Sequence, residues 1–155
     1  NINTRLKKLK NSKIDGLILA KAGLRRMEMD SLITQNLSVE SFVPSPGQGV
    51  LCIECLSQHS EIMSKIKKIV HLNTEICVSA ERIFAAQMDG DCMSPIGAHA
   101  TIQKDLISIT GYVATADGTR FIRNKIEGNK NNYKDLSTKL SNLFIKMGSK
   151  GMLKC

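Results

Sequence analysis

Leu106-Ile107-Ser108-Ile109-Thr110-Gly111-Tyr112-Val113-Ala114-Thr115, then Asp117-Gly118, then Arg120-Phe121-Ile122-Arg123-Asn124-Lys125-Ile126, is the stretch that decides the fold. Ile107, Ile109 and Val113 fall on one face of a two-residue period, the pattern of a strand with one buried side. Asp-Gly between two such runs signals a hairpin, because the turn needs backbone conformations that glycine adopts without steric cost. Ile96 to Ile102, just upstream, predicts a further strand. Helical patterns flank the three. Ile76, Ala80, Ile83, Phe84 and Met88 recur at helical spacing, predicting a helix from Thr74 to about Met88 with Asn73 as cap and Asp89-Gly90-Asp91 as stop. Tyr133, Leu136, Leu140, Leu143, Phe144 and Met147 predict a closing amphipathic helix. Residues 71–155 therefore read as helix, three strands and helix, a small α+β domain.

Toward the N-terminus the signals change. Pro44-Ser45-Pro46-Gly47-Gln48-Gly49 is the clearest punctuation in the chain and marks a hinge or a tight ligand loop. Asn3 or Thr4 is the expected cap of a helix that carries Leu6 and Leu9 and ends near Asn11. Ile14 to Ala20 is a short apolar run with branched residues, which predicts a buried strand. Ala22 to Arg26 then predicts a turn into a helix, Val50 to Glu54 a strand, and Ser57 to Val70 a helix. Helix, buried strand, turn and helix point to α/β architecture, where ligands sit at the carboxyl ends of strands.

The 155 residues carry 22 Lys and Arg against 14 Asp and Glu, and 42% are apolar. That composition excludes collagen, rods and wholesale disorder. No apolar run is long enough to span a membrane and no leader pattern is present, so no membrane association is expected. Asn1 stands where a Met would open a complete chain, so the sequence is expected to be a fragment or processed piece. Five cysteines, an odd number without secretory context, are expected to be reduced in a cytoplasmic protein. Residues 1–30 hold eight basic against three acidic groups, whereas residues 31–70 balance. A basic segment attracts polyanions, such as nucleic acid, phosphate surfaces or a small polycarboxylate; a solvated lysine face reads equally well from charge alone.

Three sets of residues could carry chemistry. Cys52 and Cys55 form a C-x-x-C, but on a strand their side chains diverge and no second pair completes four ligands, so no metal is expected. His59, His71 and His99 are scattered and read as surface or locally bonded. Cys92 lies in a loop with Gly90, Ser94 and Pro95, where Asp89 and Asp91 disfavour the thiolate. Composition alone reads it as inert, though a thiol alkylated once and then kept is compatible with that setting. Arg5, Arg25 and Arg26 are the guanidinium candidates, with the planar fork that grips carboxylates, and Arg5 after a helix cap and Arg26 after the Ile14–Ala20 run suit anion binding; a plain surface role is the alternative.

Together these residues resemble a known family. Asn1-Ile2-Asn3-Thr4-Arg5-Leu6, Asp15-Gly16-Leu17-Ile18-Leu19-Ala20-Lys21-Ala22-Gly23-Leu24-Arg25-Arg26, Pro46-Gly47-Gln48-Gly49, Ile53-Glu54-Cys55, Ala80-Glu81-Arg82 and Gly90-Asp91-Cys92-Met93-Ser94-Pro95-Ile96-Gly97 resemble, in order and spacing, the porphobilinogen deaminases (hydroxymethylbilane synthases). The resemblance implies an α/β plus α+β protein: parts of two periplasmic-binding-protein-like α/β domains, followed by a small three-stranded sheet domain with helices. Residues 1–43 would end domain 2, 44–49 form the crossover, 50–70 return to domain 1, and 71–155 make domain 3. It further implies a transferase of haem biosynthesis that joins four porphobilinogens head to tail, releases ammonia each time, and frees hydroxymethylbilane.

By the same resemblance, Cys92 would hold a dipyrromethane cofactor through a thioether. Arg5 and Arg26 would bind the acetate and propionate groups of cofactor and substrate, and Asn1, Ala20, Gly23 and Gln48 would line the cleft or crossover. Where the family shows Gly-Gly-Cys-Gln-Val-Pro, this chain has Gly90-Asp91-Cys92-Met93-Ser94-Pro95. The family's catalytic aspartate lies in an N-terminal half with no counterpart here, so no catalytic residue is expected in this chain and the chain alone is expected to be inactive. The implied partners are porphobilinogen and the growing oligopyrrole, not nucleic acid, in a monomeric parent whose fragment associates or needs its other half. The alternative is a basic polyanion or nucleic-acid module without catalysis, disfavoured by four Phe, two Tyr and no Trp as stacking platforms.

Overall fold

The computed structural model describes residues 1–89 and 94–153. The chain divides into two compact units, Asn1–Ser38 and Val39–Cys155. Among the described residues its fold class is mixed, helices with one three-stranded antiparallel sheet.

The first unit is helical. Helix α1 (Ile2–Asn11) is capped by Asn1, whose side chain accepts from the Asn3 amide at 2.9 Å. The cap thus sits two residues before the expected Asn3. Helix α2 (Lys21–Arg26) occupies the residues expected to be a turn, and a 3-10 turn (Asp30–Leu32) follows. A Cβ on Gly23 would come within 2.7 Å of Ile2 Cδ1, so glycine allows α2 to lie close against the start of α1. The strand expected over Ile14–Ala20 is not formed, nor is the one over Val50–Glu54. A strand exists only as one rail of a hydrogen-bonded ladder, and among the described residues the only ladders join the three strands of the second unit. These apolar runs have strand composition and no rail to pair with. Ile18 is 61% exposed, Ile53 56% and Leu51 82%, values far from those of a buried strand.

The second unit carries the core. Helix α3 (Ser60–Lys67) is shorter at both ends than the expected 57–70. Helix α4 (Leu72–Met88) is capped by His71, which takes the Thr74 amide, rather than by Asn73; Asp89 ends it in the left-handed conformation. Strands β1 (Ile96–Gln103), β2 (Leu106–Ala114) and β3 (Phe121–Asn129) pair in that order. Their register places Ala100, Ile109 and Ile126 in one row and Ala98, Gly111 and Asn124 in the next. Asp117-Gly118 makes the hairpin turn as expected. Hydrogen bonds from Thr115 and then Thr119 hold the Asp117 carboxyl below the usual carboxylate range. On β3, Lys125 Nζ lies 2.7 Å from Glu127 Oε1, and both side chains face solvent.

Helices α4 and α5 (Tyr133–Lys146) cover one face of the sheet, and the short α6 (Ser149–Met152) closes the end. Ile107, Ile109, Val113, Phe84, Phe144, Leu140 and Met88 are almost fully buried there. Phe84 and Phe144 meet edge to face, 4.9 Å between ring centroids. Ser137 is buried with them, and its hydroxyl has no partner among the described residues. A desolvated hydroxyl without a hydrogen bond costs about 1–3 kcal/mol. Ser137→Ala is therefore expected to stabilise the chain by about 1 kcal/mol, read as a rise in urea midpoint at unchanged slope. Ser141→Ala, whose hydroxyl donates to the Ser137 carbonyl at 2.8 Å, should give no gain.

A strap at the start of the second unit crosses to the edge of the sheet. Arg123 of β3 donates to the Glu40 carbonyl. The Ala98 amide of β1 donates to the Pro44 carbonyl at 2.9 Å. At Gly97 a Cβ would stand 2.8 Å from the Val43 carbonyl oxygen, so glycine is what lets the strap lie on the strand.

Candidate functional site

The candidate site residues are distributed over both units, and each unit positions its own set. In the first, Asn1 is the cap of α1 and Ala20 the N-cap of α2, with Gly23 at the close approach of the two helices. Arg5 lies one turn along α1 from Ile2, and Arg26 one turn along α2 from Gly23, the two residues at the close approach of the helices. Both are exposed, and neither has an ion-pair partner among the described residues. Their neighbour Arg25 does: its Nε lies 3.1 Å from Asp30 Oδ1. The 3-10 turn that brings Asp30 back separates two adjacent arginines into one with a carboxylate and one without. Lys7, Lys8, Lys10, Lys13 and Lys21 are exposed in the same unit and give its surface a positive potential suited to polycarboxylates.

In the second unit Gln48 is exposed on a tight turn. Its amide donates to the Ser45 carbonyl at 3.0 Å, and the Val50 amide donates to the Gly47 carbonyl at 3.2 Å. Gly47 has φ +74° and Gly49 +83°, the left-handed region, which is why this turn is built from glycine. Cys92, the candidate tether, lies outside the described residues. It follows α4 by four positions in sequence.

The other thiols differ from one another. Cys52 is exposed, and Cys55 Sγ sits 3.3 Å from Met63 Sδ. Burial, and then the nearby Glu81 charge, push the Cys77 thiol up, which leaves it a poor nucleophile. Among the described residues no three His, Cys, Asp or Glu side chains gather as a metal site.

Glu81 is the residue to which sequence reasoning, beyond quoting it in a motif, assigned no role. It is 6% exposed and yet a carboxylate. Oε2 accepts from the Gly47 amide at 2.7 Å and Oε1 from the Ala100 amide at 2.8 Å; His99 Nδ1 stands 3.8 Å from Oε1, beyond hydrogen-bond distance. The signal was available: Glu81 stands between Ala80 and Phe84 within the apolar stripe of α4, where an acid needs partners.

Two family models match the chain in succession. Residues 1–64 match the porphobilinogen deaminase dipyromethane cofactor binding domain, and residues 75–146 match the porphobilinogen deaminase C-terminal domain. Proteins named porphobilinogen deaminase are similar along nearly the whole chain. One from Campylobacter hominis is 40% identical over 99% of this chain and 50% of its own length. One from Desulforamulus reducens is 36% identical over 99% and 50%, and one from Clostridium botulinum strain Kyoto 39% identical over 94% and 49%. The chain spans about half the length of the curated relatives it matches.

Proposed function

Because this chain belongs to the porphobilinogen deaminase family, we propose that it is the cofactor-bearing part of a hydroxymethylbilane synthase. The whole protein would condense four porphobilinogens head to tail with release of ammonia, in the cytoplasm, and free hydroxymethylbilane. Cys92 would bear the dipyrromethane as a thioether. Arg5 and Arg26 would grip the carboxylates of cofactor and substrate, while Asn1, Ala20, Gly23 and Gln48 line the cleft. The observation that carries the reading is the pair of exposed guanidiniums, Arg5 and Arg26, with no ion-pair partner among the described residues, in the segment that matches the cofactor-binding domain.

The donor set fits the group. Each pyrrole unit brings two carboxylates, and an exposed guanidinium without an internal acid is free to take one in a two-pronged geometry. Arg25, held by Asp30, is not. When bound, the dipyrromethane supplies the primer on which the chain of pyrroles grows. The polypeptide's own part is to hold the primer's acid groups in a basic setting and to fix its sulfur end. The aspartate of the family's chemistry has no counterpart in this chain, so turnover would need the half of the relatives that the chain does not span.

The same reading supplies the missing strands. Residues 1–43 and 50–70 would complete two periplasmic-binding-protein-like α/β domains, with 44–49 as crossover and 71–155 as the third domain. The exposed Ile18, Leu51 and Ile53 support this, as apolar runs of strand composition that lack a neighbour to pair with. No helix among the described residues is long and apolar enough to cross a membrane.

The test is the mass of the protein as purified, both alone and supplied with the remaining half of a relative. The expected result is an adduct of two linked pyrrole units that colours with Ehrlich's reagent. Salt-dependent binding to DNA with no pyrrole adduct in either preparation would overturn the reading in favour of a polyanion module.

A further inference from the structure

The buried carboxylate of Glu81 bonds two main-chain segments at once, and neither belongs to its own helix. One is the Pro46–Gly49 turn, reached through the Gly47 amide at 2.7 Å; the other is the outer edge of β1, reached through the Ala100 amide at 2.8 Å. Along that edge the Ala98 amide goes to the Pro44 carbonyl and the Ala100 amide to Glu81, so strap and carboxylate together satisfy successive outward-facing donors of an otherwise open strand. An isolated buried carboxylate is strongly unfavourable, whereas one whose two oxygens each accept a backbone N–H is compensated by charge-assisted bonds. Only a group with two acceptors and no donor fits between these amides.

We propose that Glu81 is a positioning residue: its carboxylate ties the turn that carries Gln48 to helix α4, which leads in sequence to Cys92, so that turn and helix hold one fixed relation. The inference deepens the functional reading above and rests on it for the roles of Gln48 and Cys92. The fastening itself rests on the two hydrogen bonds alone.

The amides of Gly47 and Ala100 report it directly. In the 155-residue chain, both are expected to exchange slowly with solvent, while the Gly49 amide of the same turn exchanges fast. Glu81→Gln offers one acceptor and one donor, so it can satisfy only one of the two amides. It should speed exchange at the other by about tenfold to a hundredfold, the span of a hydrogen bond to a charged group, while Ile107 and Ile109 in the core keep their protection. The same amide should lose the downfield proton shift of a charge-assisted bond, a signature that loss of packing alone would not produce.

A Gly47 amide that exchanges as fast as Gly49 in the unmodified chain overturns the proposal, with no variant needed. So does a Glu81→Gln chain in which both amides keep their protection and shift. If the pyrrole adduct is absent while both amides behave as expected, the functional reading fails and the fastening stands. An adduct present with an unprotected Gly47 does the reverse.

Discussion

Cys92→Ser is expected to abolish the pyrrole adduct completely, in the protein completed with the remaining half of a relative, while Cys52→Ser, Cys55→Ser and Cys77→Ser leave it in place. The reasoning is chemical. Serine matches cysteine closely in shape, so folding is little disturbed, but a hydroxyl ionises far less readily than a thiol and is a much poorer nucleophile toward carbon. Among the described thiols, Cys77 is disqualified by burial and the Glu81 charge, which push its ionisation upward. Cys52 is exposed and Cys55 lies against Met63, both in the stretch before α3 and away from α4 in sequence. Peptide mass mapping checks the assignment. An adduct that persists in Cys92→Ser, or that disappears with Cys52→Ser, removes the basis of the functional reading.

Phe84→Ala is expected to cost about 3–5 kcal/mol, the range for an aromatic ring removed from a closed core. Phe84 is fully buried, meets Phe144 edge to face at 4.9 Å, and lies over the backbone of β2 where Gly111 has no side chain. Domains of this size hold about 5–15 kcal/mol in total, so one ring is a large share of the unit's stability. Urea unfolding followed by far-ultraviolet circular dichroism should show a lower midpoint with unchanged slope.

Gly111 offers a cross-check. A Cβ there would sit 2.5 Å from Phe84 Cζ, so Gly111→Ala alone should destabilise by overpacking, about 1–3 kcal/mol. In the double variant the added methyl occupies space the ring has left, and the two costs should fall well short of additive. A Phe84→Ala cost below about 1 kcal/mol would contradict the packing described.

The C-terminal domain was legible in the sequence because each element there meets its partner within the same stretch. Ile107, Ile109 and Val113 pair through a hairpin whose turn is Asp117-Gly118, and Phe84 and Phe144 lie on helices that flank it. Ile14–Ala20 and Val50–Glu54 have the composition of strands but nothing in the described chain to pair with, and composition cannot state whether a neighbour exists. Caps were displaced by two residues at both α1 and α4, since Asn1 and His71 reach the free amides ahead of Asn3 and Asn73. At the site, the choice between Arg25 and Arg26 turned on Asp30, which becomes a partner only once the 3-10 turn brings it back. Glu81 was quoted only as part of a motif, and its work became visible when the two amides it bonds were located.

The sheet ends in β3, whose outward side offers a row of backbone donors and acceptors to any passing extended chain. Arg123, Lys125 and Glu127 stand along that rim at every second position, and the last two are paired with each other. A foreign strand laid there would have to strip water from the Lys125–Glu127 pair before gaining its first ladder bond, beside an Arg123 already bonded to the Glu40 carbonyl. Growth of one molecule's sheet into the next is thereby discouraged, and crowded or concentrated solutions of this domain should resist fibrillar self-association from that side.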